Sequence, residues 1–128
     1  MKTQTATKVK FRAGPNIAMK VPPHQYEATV RFYRDVLGFA RIESEAPHSV
    51  FEFGDKQLWI DRVSGVSQAE IWLQVQTNDI GCATEYLAEA GVVRCDEIET
   101  LPEGFAGCWI SSPAAVIHLV SENKTAVS

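Results

Sequence analysis

Between Asn16 and Val21 the side chains alternate, with Ile17, Met19 and Val21 on one side and Asn16, Ala18 and Lys20 on the other. A period of two predicts a half-buried strand. The period then lengthens. In PPHQYEATVRFYRDVLGF the prolines can stop the strand, Tyr26, Val30, Tyr33 and Leu37 recur at helical spacing, and Gly38 is placed to end a helix. Three short strand-like runs follow, ARIESEA, SVFEFG and KQLWIDRV, the last two joined through Gly54 and Asp55 as in a hairpin.

The second half repeats this order. AEIWLQV alternates as a strand, NDIGCATEYLAEAG offers Asn78 or Asp79 as the N-cap of a helix and Gly91 as its stop, and VVRCDEIET, GFAGCWI and AVIHLVS supply three more strands. The halves match locally at a separation of a little over fifty residues: Val21 with Val75, Tyr33 with Tyr86, Gly38 with Gly91. Such a repeat outweighs any single motif as evidence for the fold. A four-stranded sheet with one helix leaves its other face bare, and two such units can cover it by turning those faces together, which leaves a shared cavity. The expectation is an α+β chain forming one domain over residues 1–128, with module one at about 16–63 and module two at about 69–121.

Composition narrows the partners. The 128 residues are 45% hydrophobic, enough for a core, and the formal net charge is −4 with the twelve Lys and Arg scattered, so no basic stripe tracks a nucleic-acid backbone. Apolar runs are too short for a membrane span, and MKTQTATKVKF has no following hydrophobic core or small-residue cleavage site, so a cytoplasmic protein is expected. Cys82, Cys95 and Cys108 are odd in number and too far apart for a CxxC motif, and are read as small buried residues.

NIAMKVPPHQYEATVRFYRDVLGF resembles the opening of vicinal oxygen chelate proteins, the superfamily of glyoxalase I, bleomycin-resistance proteins, fosfomycin-resistance enzymes and extradiol dioxygenases. AEIWLQV, EYLAEAGV and WISSPAAVIHLV resemble their second module, so the likeness runs from about Asn16 to Ser121. It implies two βαβββ modules forming a curved mixed sheet around a small-molecule cavity, in a homodimer. In metal-dependent members each module gives one ligand from its first strand and one from its last.

Alternation places side chains on that frame. If Ile17, Met19 and Val21 pack on the helix, Asn16, Ala18 and Lys20 face the cavity; likewise Leu58 and Ile60 turn Gln57, Trp59 and Asp61 to it. Burying Ile71, Leu73 and Val75 points Glu70, Trp72 and Gln74 to it, and burying Ile117 and Leu119 leaves Val116, His118 and Val120 there. The resemblance puts the ligand positions on Asn16, Trp59, Glu70 and His118. Glu70 and His118 suit Zn, Ni, Mn or Fe, Asn16 offers only an amide oxygen, and Trp59 has no acceptor.

Three readings stay open. In one, Glu70 and His118 are a hydrogen-bonded pair that anchors a ligand and can exchange protons with it, with no resident metal; in another they are two ligands of a divalent ion; in the third they are unrelated polar residues in a water-filled cleft. Trp59 and Trp72, with Asn16, Gln57 and Gln74, are candidate contacts for a planar molecule. Trp109 is kept as a core residue; His24, His48 and Glu52 are weaker candidates, and LPEGFAG is a connecting loop. The favoured function is binding of a small planar molecule without a tightly held cofactor. The alternative is a metal-assisted lyase, isomerase or ring-cleaving dioxygenase, and not glyoxalase I itself, since both ligand positions of the first module depart from its pattern.

Overall fold

The computed structural model describes residues 8–124. In chain order they form β1 (Phe11–Val21), α1 (Pro23–Arg31), β2 (Ser49–Phe53), β3 (Lys56–Arg62), β4 (Glu70–Thr77), α2 (Ile80–Glu89), β5 (Val93–Arg94), β6 (Gly107–Ser111) and β7 (Ile117–Glu122). The strands make a mixed sheet in the order β2-β3-β1-β4-β7-β6-β5. The chain divides into two compact units, one of Pro15–Leu73 and one of Met1–Gly14 with Gln74–Ser128.

In the unit Pro15–Leu73, β3 pairs with β1 in parallel and with β2 antiparallel. A parallel neighbour requires a crossover, which α1 supplies. Pro22 caps α1 and Pro23 occupies its first turn, where a missing N–H costs nothing. The helix widens into a π-type turn over Phe32–Val36 and stops at Gly38, whose φ of +74° only glycine adopts freely. Val21, Val30, Phe51, Leu58 and Ile60 form the core, with Ile17, Met19, Tyr26, Tyr33 and Phe39 packed against it. The faces expected for β1 and β3 are therefore the observed ones.

In the other unit β7 pairs antiparallel with β6, and β6 with β5. Two carboxylates fix the start of α2: Asp79 accepts from the Cys82 N–H at 3.0 Å and Glu122 from the Ile80 N–H at 2.9 Å. Gly91, at φ +80°, ends it. Thr77, Ala83, Cys108 and Val120 are fully buried or nearly so.

Several expectations change. β1 begins at Phe11 rather than Asn16. ARIESEA is no strand: Arg41 makes a single bridge to Phe51, and residues 43–45 close into a 3-10 turn in which Ala46 N–H reaches the Glu43 carbonyl. VVRCDEIET keeps only Val93–Arg94, because the Asp96 carboxylate accepts the Trp109 N–H at 2.9 Å and turns the chain away from the ladder. In β4 Ile71 is 43% and Leu73 37% exposed, whereas Trp72 is buried, the reverse of the expected pattern.

The repeat also shifts register. Val63 N–H bonds the Val21 carbonyl in one unit, and Asn123 N–H bonds the Thr77 carbonyl in the other, so the last strand is tied to the first in the same way. Thr77, not Val75, is the counterpart of Val21. It follows by counting along the strands that Trp72 corresponds to Asn16, Leu119 to Trp59 and His118 to the core residue Leu58.

Candidate functional site

Within the unit Pro15–Leu73, the face of β1 and β3 opposite α1 carries Asn16, Lys20, Trp59 and Asp61, and β4 adds Glu70 and Trp72 to it. Their contacts form two connected groups. Trp59 donates its indole N–H to Asn16 Oδ1 at 2.8 Å, and the ring lies 5.6 Å from that of His48. Lys20 Nζ sits 2.9 Å from Asp61 Oδ2 and 4.3 Å from the centre of the Trp72 ring, and Trp72 donates its N–H to Glu70 Oε1 at 3.0 Å.

Each contact satisfies a cost that burial would impose. Lys20 and Trp72 are almost fully buried, and an ammonium taken from water needs a counter-charge, which Asp61 provides, and tolerates an aromatic face, which Trp72 provides. Both indole N–H groups are spent on side-chain acceptors, which fixes the orientation of the rings. This arrangement can offer flat apolar surface and a neutralised ion pair to a ligand.

Gln57 shares the face of Trp59 and Asp61 on β3, whereas Gln74 and His118 belong to the other unit. Gln57 pairs with Asn16 and Glu52 in the sheet and is half-buried. Gln74 bonds Ser121 Oγ at 3.1 Å, and its side chain lies over Gly14 so closely that a Cβ there would come within 2.6 Å of it. His118 is on the other unit from Glu70 and shares its face of β7 with Val120 and its cross-strand neighbour Ile110, beside the end of α2. The expectation that Ile117 and Leu119 turn to the helix is thus inverted. Val120, expected on the open face, is fully buried.

Alternation puts Lys20 and Asp61 on this face, but only the structure shows that they pair and that His48, a weaker candidate, lies against Trp59. An internal lysine between apolar residues on a strand was the available signal. Trp109 is buried as expected, its indole N–H bonded to the Glu99 carbonyl at 2.9 Å. Below it Asp96 accepts from Trp109 N–H and pairs with Arg94. Partial burial pushes the Asp96 carboxyl up, but these two donors outweigh it and hold the carboxyl below its usual range. Burial raises the thiols of the partly buried Cys95 and the buried Cys108, which disfavours the thiolate.

Comparison with solved structures follows the topology. The Mn(II)-bound glyoxalase from Novosphingobium aromaticivorans superposes with a TM-score of 0.64 at 17% identity over 94% of this chain and 42% of that one. A glyoxalase/bleomycin resistance protein/dioxygenase superfamily member from Vibrio splendidus 12B01 gives 0.56 at 12% identity, covering 89% and 100%. The fold is the vicinal oxygen chelate fold. Methylmalonyl-CoA epimerase from Mycobacterium tuberculosis shares it, with a TM-score of 0.58 at 13% identity over 86% and 87% of the two chains. The chain spans less than half the length of the Novosphingobium glyoxalase. No protein-family model matches the sequence, and no curated protein matches it.

The Novosphingobium glyoxalase is Mn(II)-bound, and the donor set of this chain can be set against the needs of such an ion. Asn16 Oδ1 accepts from Trp59, which itself has no lone pair to give, and Glu70 Oε1 accepts from Trp72. By the strand register, Trp72 and Leu119 are the second-module counterparts of Asn16 and Trp59, and neither can bind an ion. Among the described residues no three His, Cys, Asp or Glu side chains come together as a metal site. Among the described residues, the donors at Asn16, Trp59, Glu70 and His118 do not make up the ligand set of a divalent metal. No helix among the described residues is long and apolar enough to cross a membrane.

Proposed function

We propose that the protein binds a small planar molecule on the face that carries Trp59 and Trp72, as a homodimer and without a resident metal. The observation that carries this reading is the pair of indoles held by side-chain acceptors, Asn16 and Glu70, on either side of the Lys20–Asp61 ion pair. Oriented aromatic rings give large contact area at little entropic cost, and a few fixed polar groups around them supply specificity. In this reading Trp59 stacks on the ligand, the buried Trp72 ring backs the Lys20 ammonium beside it, Gln57 borders the ligand, and Glu70 and Asn16 act through the rings they hold. Gln74 and His118, first grouped with this site, take other roles.

The test is tryptophan fluorescence during titration with 1-naphthol and with its saturated, non-planar analogue decahydro-1-naphthol, in wild type, Trp59→Phe and Trp72→Phe. Saturable quenching by 1-naphthol alone, reduced in either variant, supports the reading. Equal response to both compounds, or quenching unchanged in both variants, overturns it. Sedimentation equilibrium tests the dimer separately.

A further inference from the structure

The structure assigns a second ligand pocket to the unit that contains α2, and we infer that it takes a small neutral apolar molecule with one hydroxyl or N–H donor. A cavity of about 480 Å³ lies between the end of α2, β5 and the β6–β7 turn. That is within the range that encloses small molecules, about 300–1,000 Å³. Its walls are mainly apolar, with Val92, Val93, Ile110 and Pro113, and its polar groups are Ser111, Ser112 and His118.

The polar groups are not equivalent. Ser111 Oγ donates to the Ser112 carbonyl, and Ser112 Oγ accepts the Val116 N–H, both at 3.2 Å, so both hydroxyls are engaged in the turn. His118 is different. Its Nδ1 lies 2.9 Å from the Val116 carbonyl oxygen, which can only accept, so this bond selects the tautomer in which Nδ1 carries the proton and Nε2 presents a lone pair. Nε2 has no hydrogen-bond partner among the described residues. A ligand that donates to Nε2 supplies the missing bond.

Charge is selected against by the same walls. Apart from His118, no acidic or basic side chain among the described residues lines the cavity. Ala90 and Gly91 bring to it the C-terminal end of α2, whose negative dipole end repels an anion, and no carboxylate is present to neutralise a cation. A phenol or a small alcohol meets these conditions. The pocket is separate from the Trp59 and Trp72 face and does not rest on the function proposed for it.

The experiment is an amide ¹H–¹⁵N titration of the full chain with p-cresol, p-xylene and p-toluate. The expected result is saturable shifts at Gly91, Val92, Val93 and Ile110 with p-cresol, about tenfold weaker binding of p-xylene, which lacks the donor, and weaker still of p-toluate. His118→Phe keeps the ring and removes the acceptor, so it makes p-cresol and p-xylene bind alike. Should that variant misfold, Val93→Trp, at a position 61% exposed, fills the cavity mouth and lowers both affinities together. Equal binding of p-cresol and p-xylene to wild type, absence of saturable shifts at millimolar p-cresol, or shifts confined to the Trp59 and Trp72 face overturns the proposal.

Discussion

Lys20 on β1 reaches Asp61 on β3 at 2.9 Å, with the lysine side chain only 6% exposed and the aspartate 27%. Neither charge is tolerable at that depth alone, so the pair stands or falls together. Asp61→Asn leaves an ammonium buried without a counter-charge and should cost about 2–3 kcal/mol, below the full penalty for a buried pair because Asp61 keeps some solvent. Lys20→Met leaves the partly hydrated carboxylate behind and should cost less. Urea unfolding at neutral pH checks the order, and a smaller loss from Asp61→Asn than from Lys20→Met contradicts it.

The start of α2 should be the acid-sensitive end of its unit. The Cys82 N–H holds the Asp79 carboxyl below its usual range, and the Ile80 N–H does the same for Glu122, each bond stabilising the charged form. A carboxyl with a depressed folded value contributes stability that is present above its unfolded value, about 4, and lost as the pH falls through the folded one. Asp79→Asn keeps an acceptor for the cap without that titration. Stability of wild type should therefore fall below about pH 4 more steeply than that of Asp79→Asn. Parallel curves from neutral pH to the acid limit contradict this.

Gly14 and Gln74 make a case for close approach. A Cβ at Gly14 would lie 2.6 Å from Gln74 Oε1 and 2.7 Å from its Cδ and Cγ, so Gly14→Ala must push the amide away from Ser121. Overpacking of this kind costs about 1–2 kcal/mol. Gln74→Ala removes the obstacle. In the double variant the cost of Gly14→Ala should shrink to a few tenths of a kcal/mol, measured by urea unfolding of all four proteins.

What the sequence revealed and what it hid have separable causes. Gly38 and Gly91 could be read as helix stops because the conformation they adopt, φ +74° and +80°, suits little else. The strands β1 and β3 could be faced because polar residues occupy one side of each. The run VIHLV could not, since Val116, Ile117, Leu119 and Val120 are apolar on both sides of His118 and leave the period of two without a contrast. The matching of Val21 with Val75 compounded the error. The segment from strand end to stopping glycine is three residues shorter in the second half, so a single offset cannot align both strand and helix. The bond from Asn123 N–H to the Thr77 carbonyl marks the register, and His118 lies beside the end of α2. Thus the fold was legible at the level of modules, while the site depended on one-residue registers that backbone pairing decides.

Asn16 and Trp59 should behave as one unit in binding as well as in stability. Asn16→Ala removes the acceptor of a half-buried indole N–H, which costs about 1–2 kcal/mol and frees the ring to leave its stacking orientation. Affinity for 1-naphthol should then fall about tenfold, while the same substitution made in a Trp59→Phe background should change affinity little, because the ring no longer carries a donor to be held. The cycle separates two roles for Asn16. If Asn16→Ala lowers affinity equally in both backgrounds, the amide touches the ligand directly; if only the wild-type background responds, Asn16 acts by positioning Trp59, as the 2.8 Å bond between them indicates.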